Sequence, residues 1–445
     1  MRFDTLSQWL YFLEHLYPVG MDLTLERIAL VADRMGLRDA GTPRTVIVAG
    51  TNGKGTVATR TAALLRARGW ETGLFTSPHL LRYNERIGVN GVPASDPELC
   101  RAFDAVDRAR GDDPLTYFEF GALAAAWLFR DRGVAAQVLE VGLGGRLDAV
   151  NIWDADVAVI TAVDLDHQKW LGDSREAIGR EKAGIMRHGR PVILGETEPP
   201  GSVLEYAEQV GARPVRAGRD FRLERNGAVL RWTCRGETVA WQAGGPAAHL
   251  DGAALMNAAT ALAVVETLEP SLRLPDAAVS AALATTGPGR LQRVRGAPEW
   301  LLDVAHNPHA VQELARWLDA HPVPGPVVAL VGIMADKERA AMWECLAGRV
   351  ARWIPIALDL PRALPAMELA AELQGVGERD VRPARDTLDG IREAVAMAAP
   401  AGRVLVFGSF HTLAAVLEAA PDLAEVVLSG QAETAMRNRE LIRAV

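Results

Sequence analysis

At 445 residues the chain is too long for a single hydrophobic core, so two or three domains are expected. Its 49% hydrophobic and 23% charged residues are typical of a soluble globular protein, no apolar run approaches the ~20 residues of a membrane span, and a net charge of -8 argues against a general nucleic-acid binder. The three cysteines are widely spaced and the chain start has no signal-peptide core, so we expect a cytoplasmic protein without disulfides or a zinc site.

The first third of the chain contains a predicted phosphate-binding loop. Apolar spacing predicts helices over residues 3–17 and 25–35, then a strand at 46–49, the turn GTNGKGT at 50–56 and a helix to about residue 68. A glycine turn between a strand and a helix lets backbone N–H groups reach phosphate oxygens, with Lys54 on the outer phosphates. The usual pattern places Ser or Thr directly after the lysine to reach Mg²⁺, whereas Gly55 stands there and Thr56 follows. Either Thr56 acts from a shifted position or another residue supplies the hydroxyl.

Polar residues follow three further predicted strands. Ser77 follows a strand at 72–75, Glu140 lies near the end of a strand at 135–142, and His167 follows a strand at 156–161. Strand C-termini line the ligand crevice of an open α/β sheet, and a strand-terminal acid downstream of a phosphate loop resembles the Mg²⁺-holding acid of nucleotide hydrolases. The three residues are therefore candidate Mg²⁺ ligands. A plain Ser-Pro turn at Ser77 and a structural role for His167 remain open alternatives.

Lysine usage is the next signal. Among 48 basic residues only Lys54, Lys169, Lys182 and Lys337 are lysines. In so Arg-biased a chain, surviving lysines indicate sites that need a compact ammonium or a free amine. Lys182 lies in a predicted helix at 174–187, where an exposed salt bridge is the simpler interpretation.

Two more regions of the first half are informative. Helices are predicted at 97–110 and 116–132, and the second carries Phe118 and Phe120, which either belong to the core or wall a ring-shaped ligand. Residues 197–250 read as irregular or β-rich, and the Ala-rich helix at 255–268 carries Asn257.

A second α/β unit follows a predicted hinge at residues 285–290. Its buried strands are expected at 300–305, 327–332 and 404–408, with helices between them. Asp303 and His306 belong to the end of the first of these strands, and Ser409 follows the last, so they are expected on one ligand-binding edge. A charged, helical tail is predicted from about residue 422.

Six motifs occur in one order along the chain: GTNGKGT (50–56), TSPHL (76–80), GLGGRLD (142–148), LDH (165–167), EKAGI (181–185) and DVAHNP (303–308). From about residue 3 to residue 420 the chain thus resembles the folylpolyglutamate synthase family of the Mur ligase superfamily. TYFEF at 116–120 and MDL at 21–23 are similar to its bifunctional bacterial subgroup. The resemblance implies an α/β fold with a P-loop, Mur-ligase-type ATPase domain over residues 1–286 and a smaller Rossmann-like glutamate-ligase domain over 287–445.

The resemblance also implies a reaction. A pterin substrate's carboxylate would attack the γ-phosphate of ATP and become an acyl phosphate. The amine of L-glutamate would then attack it, and phosphate would leave. The acceptors would be dihydropteroate and tetrahydrofolates, with two Mg²⁺ ions and a monomeric enzyme. A monofunctional folylpolyglutamate synthase and another Mur-type amide ligase remain alternatives, and a P-loop switch or kinase is a third from a different class.

Residue roles carried over from the family form four sets. Nucleotide would be bound by Asn52, Gly53, Lys54, Gly55, Thr56, Asn257, Arg290 and Asp303. Mg²⁺ would be held by Ser77, Glu140, His167 and Lys182, the last as a carbamate formed with CO₂. Substrates would contact Asp22, Leu23, Thr24, Leu25, Phe118 and Phe120 around the pterin, Arg86 and Ser409 at glutamate, and Gly145, Arg146 and Leu147. The catalytic residues would be Lys54, Lys182 and His306.

Overall fold

The computed structural model describes residues 1–17, 22–39, 41, 43–270 and 274–428. Met21 of the MDL motif and residues 429–445 of the predicted tail lie outside the described residues. The chain divides into two compact units, Met1–Thr286 and Gly287–Val445. Within the described ranges, no helix is long and apolar enough to cross a membrane.

The first unit is built on an eight-stranded sheet in the order β4-β3-β2-β5-β1-β6-β7-β8. Its strands are β1 Arg44–Ala49, β2 Thr72–Phe75, β3 Ile87–Val89, β4 Val92–Pro93, β5 Ala136–Glu140, β6 Val157–Ile160, β7 Pro191–Leu194 and β8 Arg213–Arg216. Strands β2, β5, β1, β6, β7 and β8 are parallel, and β3 and β4 add an antiparallel edge. A separate antiparallel sheet contains β9 Phe221–Asn226, β10 Val229–Cys234 and β11 Glu237–Gln242.

Helices cover both faces of the large sheet. They are α1 Leu6–Leu16, α2 Glu26–Arg34, α3 Lys54–Ala67, α4 Asp96–Arg110, α5 Tyr117–Asp131, α6 Gln168–Leu171, α7 Arg175–Ala183, α8 Gly201–Val210, α9 Gly252–Leu268 and α10 Asp276–Ala284. Central strand β1 alternates between two cores, with Ile47 packed in the core that includes α5 and Val48 in the core that includes α3 and α9. Burial on both faces explains its continuous apolar sequence. Helix α8 lies where we predicted irregular or β-rich chain.

The second unit contains a five-stranded sheet in the order β12-β13-β16-β14-β15. Its strands are β12 Gln292–Val294, β13 Glu299–Leu302, β14 Val327–Val331, β15 Arg352–Pro355 and β16 Arg403–Phe407, and its helices are α11 Pro308–Ala320, α12 Arg339–Leu346, α13 Ala366–Gly375, α14 Thr387–Ala398, α15 Phe410–Ala419 and α16 Pro421–Leu428. All strands except β12 are parallel. Both units are therefore α/β, as the sequence predicts.

Candidate active site

The glycine-rich turn joins β1 to α3 as predicted, and it is anchored to the loop that follows β6. Thr51 N donates to the Ala162 carbonyl at 2.7 Å, and Thr161 Oγ1 donates to the Asn52 carbonyl at 2.7 Å. Gly53 precedes α3 with φ +91°, and a Cβ there would lie 2.6 Å from Oδ1 of Asn257. The turn thus requires glycine for its backbone angle and for the approach of α9. The backbone N–H groups at the N-terminus of α3, directly after this turn, form an anion-binding element.

Two lysines converge on one carbonyl of this loop. Lys54 Nζ donates to the carbonyls of Gly50 and Thr51, each at 3.1 Å, and Lys182 Nζ donates to the carbonyl of Gly50 at 2.8 Å. Lys182 is only 3% exposed, so the interpretation as an exposed salt bridge is wrong for it. The neighbouring Glu181 instead pairs with Arg146 at 3.0 Å.

The burial of Lys182 changes its chemistry. Loss of water and the charge of Lys54 lower its pKa to about 7, although Asp166 and Asp148 favour the charged form. Burial likewise raises the pKa of Asp148 to about 6, against hydrogen bonds from backbone N–H groups. Neutral amine, the form that reacts with CO₂, is therefore abundant on Lys182 near neutral pH.

The loop GLGGRLD packs against the end of α7, which carries Lys182. Arg146 N donates to the Glu181 carbonyl at 2.8 Å, and a Cβ on Gly145 would lie 2.8 Å from the Lys182 carbonyl oxygen. Gly145 is buried, whereas Leu147 is half-buried and Arg146 exposed. This close packing fixes the position of Lys182 beneath the phosphate loop.

The candidate metal ligands lie at the C-terminal ends of β2, β5 and β6, and β1 separates β5 from β6 in the sheet. Glu140 ends β5 and is 2% exposed, and its Oε2 accepts a 3.0 Å hydrogen bond from the backbone N–H of Ser77. The strand order places His167, which follows β6, on the same edge. His167 is exposed and has φ +52°, and its Nε2 lies 3.9 Å from Oδ2 of Asp166. A hydrogen bond thus connects Ser77 to Glu140 directly. His167 is related to them only by its position at the same edge of the sheet.

These groups suit Mg²⁺. A serine hydroxyl and a carboxylate are hard oxygen ligands, which Mg²⁺ prefers. Among the described residues, no group of three His, Cys, Asp or Glu side chains could hold a metal ion, and the predicted set includes only two such residues, Glu140 and His167. Thr56 is buried within the first turn of α3, so Ser77 is the better candidate for the hydroxyl that Gly55 displaces.

The predicted pterin stretch at residues 22–25 is tied to the start of α5. Asp22 accepts hydrogen bonds from Arg27 at 2.5 Å and Tyr17 at 2.7 Å, and Arg27 also pairs with Glu119 at 2.9 Å. Leu23, Thr24 and Leu25 are half-buried beside this network.

The two predicted pterin-wall residues have different surroundings. Phe118 is half-buried, and a Cβ on Gly142 would lie 2.8 Å from its ring. Phe120 has no exposed surface and packs with Trp9 and Phe103. We therefore correct the assignment of Phe120 from the wall to the core, because a ring enclosed by other rings offers no face to a ligand.

In the second unit, Asp303 and His306 follow β13 as predicted. Asp303 accepts hydrogen bonds from Leu291 N and Ala305 N, both at 2.7 Å. Its carboxyl is poorly hydrated, which raises its pKa to about 6, while Arg290 and His306 oppose the shift. His306 Nδ1 lies 2.8 Å from the Val304 carbonyl, which can only accept, so Nδ1 carries the proton.

Ser409 and Arg290 also belong to this unit. Ser409 is 6% exposed and caps α15, its Oγ accepting from Thr412 N at 3.0 Å. Its hydroxyl thus has a structural task, and its predicted contact with glutamate stays a prediction. The Arg290 guanidinium lies 5.7 Å from the ring centroid of Phe410.

Known proteins resemble this chain over most of its length. The model of the Mur ligase, glutamate ligase domain matches residues 289–410. The dihydrofolate synthase/folylpolyglutamate synthase of Escherichia coli (strain K12) is 41% identical over 424 residues, covering 93% of this chain and 95% of its own.

Two solved structures cover nearly the whole chain. Escherichia coli FolC in complex with DHPP and ADP aligns with a TM-score of 0.87 and 39% identity, covering 95% of this chain and 99% of that chain. A bifunctional folylpolyglutamate synthase/dihydrofolate synthase with Mn, AMPPNP and L-glutamate bound aligns with a TM-score of 0.83 and 42% identity, covering 94% and 98%.

Proposed function

The chain belongs to the dihydrofolate synthase/folylpolyglutamate synthase family, and we propose that it adds L-glutamate to dihydropteroate and to tetrahydrofolates at the expense of ATP. The observation that carries this proposal is the convergence of Lys54 and Lys182 on the Gly50 carbonyl, beside the Ser77–Glu140 contact. The predicted phosphate loop, two candidate metal ligands and a buried amine thus lie at one sheet edge, which supports the proposal.

The chemistry requires activation of a carboxylate. At neutral pH a carboxylate is a poor acyl donor, so its oxygen attacks the γ-phosphate of ATP, ADP leaves and an acyl phosphate forms. The glutamate amine then attacks the acyl carbon, forms the amide bond and displaces phosphate. Negative charge collects on phosphate oxygens in the transition state. The N-terminal N–H groups of α3 and the ammonium of Lys54 stabilise that charge because they already point toward the loop.

Metal binding is assigned to Ser77, Glu140 and His167, with Lys182 as a carbamate toward a second ion. Bound Mg²⁺ would neutralise phosphate charge and orient the triphosphate. Support for the carbamate is the burial of Lys182 and its lowered pKa, which make neutral amine available. An arginine at this position cannot supply the neutral amine.

The remaining binding residues are assigned within each unit. Asn52, Gly53, Gly55, Thr56 and Asn257 are proposed nucleotide contacts of the first unit, and Arg290 and Asp303 those of the second. His306 is proposed as a catalytic residue near the reacting phosphate. Residues 22–25 and Phe118 are assigned to the pterin substrate, Arg86 and Ser409 to glutamate, and residues 145–147 to substrate binding in general. Support comes from their positions on strand-end loops or beside them, where open α/β sheets bind ligands.

We further propose a monomer that works in the cytoplasm on small molecules, without nucleic-acid or membrane partners. Support is the acidic net charge of -8 and the three cysteines, all of which are free thiols.

The test is glutamate-dependent phosphate release from Mg²⁺-ATP, with dihydropteroate and tetrahydrofolate supplied separately. Release with both acceptors supports the bifunctional ligase. Release with tetrahydrofolate alone narrows the function to polyglutamylation. A rate of ATP hydrolysis that does not depend on glutamate, with either acceptor present, would refute the ligase and favour a P-loop switch or kinase.

A further inference from the structure

Arg86 is held by three side chains at the edge of the first unit's sheet. Its Nε donates a 2.8 Å hydrogen bond to Nδ1 of His79. Its guanidinium carbon lies 5.4 Å from the ring centroid of Tyr83 and 5.5 Å from that of Tyr117. Both distances are within the range of cation–π attraction. We call His79, Tyr83 and Tyr117 the arginine clamp.

The clamp leaves one side of the guanidinium available. Arg86 is half-buried, and within the part of the chain that the structure describes it has no acidic partner and no hydrogen bond from Nη1 or Nη2. Partly desolvated arginines are usually paired with an anion. Two parallel Nη donors with a fixed orientation match the two oxygens of a carboxylate.

The position of the clamp connects it to the proposed site. Thr76 N donates to the Arg86 carbonyl at 2.9 Å, and the next residue, Ser77, donates to Glu140. Arg86 is therefore hydrogen-bonded to the residue that directly precedes the candidate metal ligand Ser77. A carboxylate on its fork would belong to a molecule that approaches the same edge as the phosphates.

Each member of the clamp is itself fixed. Tyr117 is the first residue of α5, whose N-terminus is closed by a reciprocal capping box between Thr116 and Glu119. Tyr83 is buried and meets the Tyr117 ring edge-on at 5.8 Å. His79 must present the lone pair of Nδ1, because arginine only donates, so the proton of its neutral ring lies on Nε2.

We propose that His79, Tyr83 and Tyr117 are positioning residues that hold Arg86 as a preformed fork for the carboxylate of L-glutamate. This inference rests on the proposed function and extends it from the contacting arginine to the residues behind it. The clamp lowers the cost of binding because the long arginine side chain is ordered before glutamate arrives.

The experiment compares paired variants in the dihydropteroate reaction, whose pterin substrate carries no glutamate of its own. His79→Leu removes the acceptor of Arg86 Nε, while His79→Asn places Oδ1 where Nδ1 lies. Tyr117→Leu removes the aromatic face, while Tyr117→Phe keeps it. We expect the two Leu variants to raise KM for glutamate by about tenfold or more, and the Asn and Phe variants to stay within about threefold of wild type.

Two readouts separate positioning from general stability. KM for ATP and the thermal midpoint should be unchanged in all four variants. In an Arg86→Ala background, His79→Leu should raise KM for glutamate no further, because the two residues then act as one unit. An unchanged KM for glutamate in His79→Leu, parallel changes in both KM values, or additive effects in the double variant would each overturn the proposal.

The source of the carboxylate is tested in the tetrahydrofolate reaction. A clamp for L-glutamate predicts the same rise in KM for glutamate with either acceptor. A rise confined to KM for tetrahydrofolate would instead assign Arg86 to the glutamate tail of that substrate and overturn our assignment. Wild-type enzyme is measured first, and the absence of glutamate-dependent phosphate release there would refute the proposed function itself.

Discussion

Replacing Lys182 with arginine should abolish most activity without unfolding the protein. Lys182 lies at the end of α7 with its Nζ on the Gly50 carbonyl, and an arginine can keep a positive charge and donate to the same oxygen. It cannot form a carbamate, because its guanidinium stays protonated at every accessible pH. We expect kcat to fall by about a hundredfold or more, the scale of losing an electrostatic group at a phosphoryl-transfer site.

The magnitude follows from the environment of Lys182. With a pKa of about 7, about one half of the amines are neutral at pH 7, whereas an ordinary lysine with a pKa of 10.5 would have about one in three thousand neutral. Burial thus increases the CO₂-reactive form by a factor of about a thousand. The arginine variant removes that reactive form entirely.

The assay is phosphate release with saturating ATP, glutamate and acceptor. Lys182→Arg should be inactive, and Lys182→Ala should regain part of its activity when formate or acetate supplies the missing carboxylate. Lys169→Arg is the matched control, because Lys169 is an exposed lysine near the same sheet edge. Undiminished activity of Lys182→Arg, or equal loss in Lys169→Arg, would refute the carbamate.

Three further predictions follow from the geometry of the site. Gly53→Ala should weaken ATP binding and lower stability by about 2 kcal/mol or more, because its φ is +91° and its Cβ would meet Asn257. Gly69→Ala is the control, because Gly69 has φ +86° and open space around its Cβ, so the variant tests backbone strain alone. Equal effects of the two variants on ATP binding would contradict a role for the Gly53–Asn257 contact. Ser77→Ala should raise the Mg²⁺ concentration for half-maximal phosphate release by about tenfold, and an unchanged Mg²⁺ titration would remove Ser77 from the ligand set. Lys182→Met should be more stable than wild type below pH 7, by up to about 5 kcal/mol, because the folded state holds a lysine whose pKa is lowered from 10.5 to about 7. Between pH 7 and 10.5 the unfolded chain binds the proton and the folded chain does not, so wild type gains stability as pH rises and the difference should narrow; chemical denaturation at pH 6 and pH 10 measures it.

Several elements of the fold follow from local sequence alone. The strand before GTNGKGT, the strand ending at Glu140 and the strand at Thr72–Phe75 were predictable because buried parallel strands are short apolar runs that end in turns. Helix α8 was missed because its ten residues follow Pro199 and Pro200, and two prolines in succession favour extended or irregular chain.

The site shows where local reasoning stops. The sequence predicts that Phe118 and Phe120 share a helix, but only packing against Trp9 and Phe103 decides that Phe120 belongs to the core. Similarly, TSPHL marks His79 as part of a motif, yet its contact with Arg86 depends on how the chain returns after β2. A helical or strand period reports which residues share a face, but not what lies opposite.

The sequence by itself determined the fold class, the phosphate loop and the strand-end residues, because these depend on short-range period, glycine geometry and the order of motifs. Only the tertiary structure decided that Lys182 is buried on the Gly50 carbonyl and that Arg86 lies in an aromatic clamp. The physical reason is that desolvation and charge at a side chain arise from atoms distant in the chain. Lys182 and Gly50 are 132 residues apart, and the packing that brings them together buries the lysine, so that loss of water and then the charge of Lys54 lower its pKa to about 7.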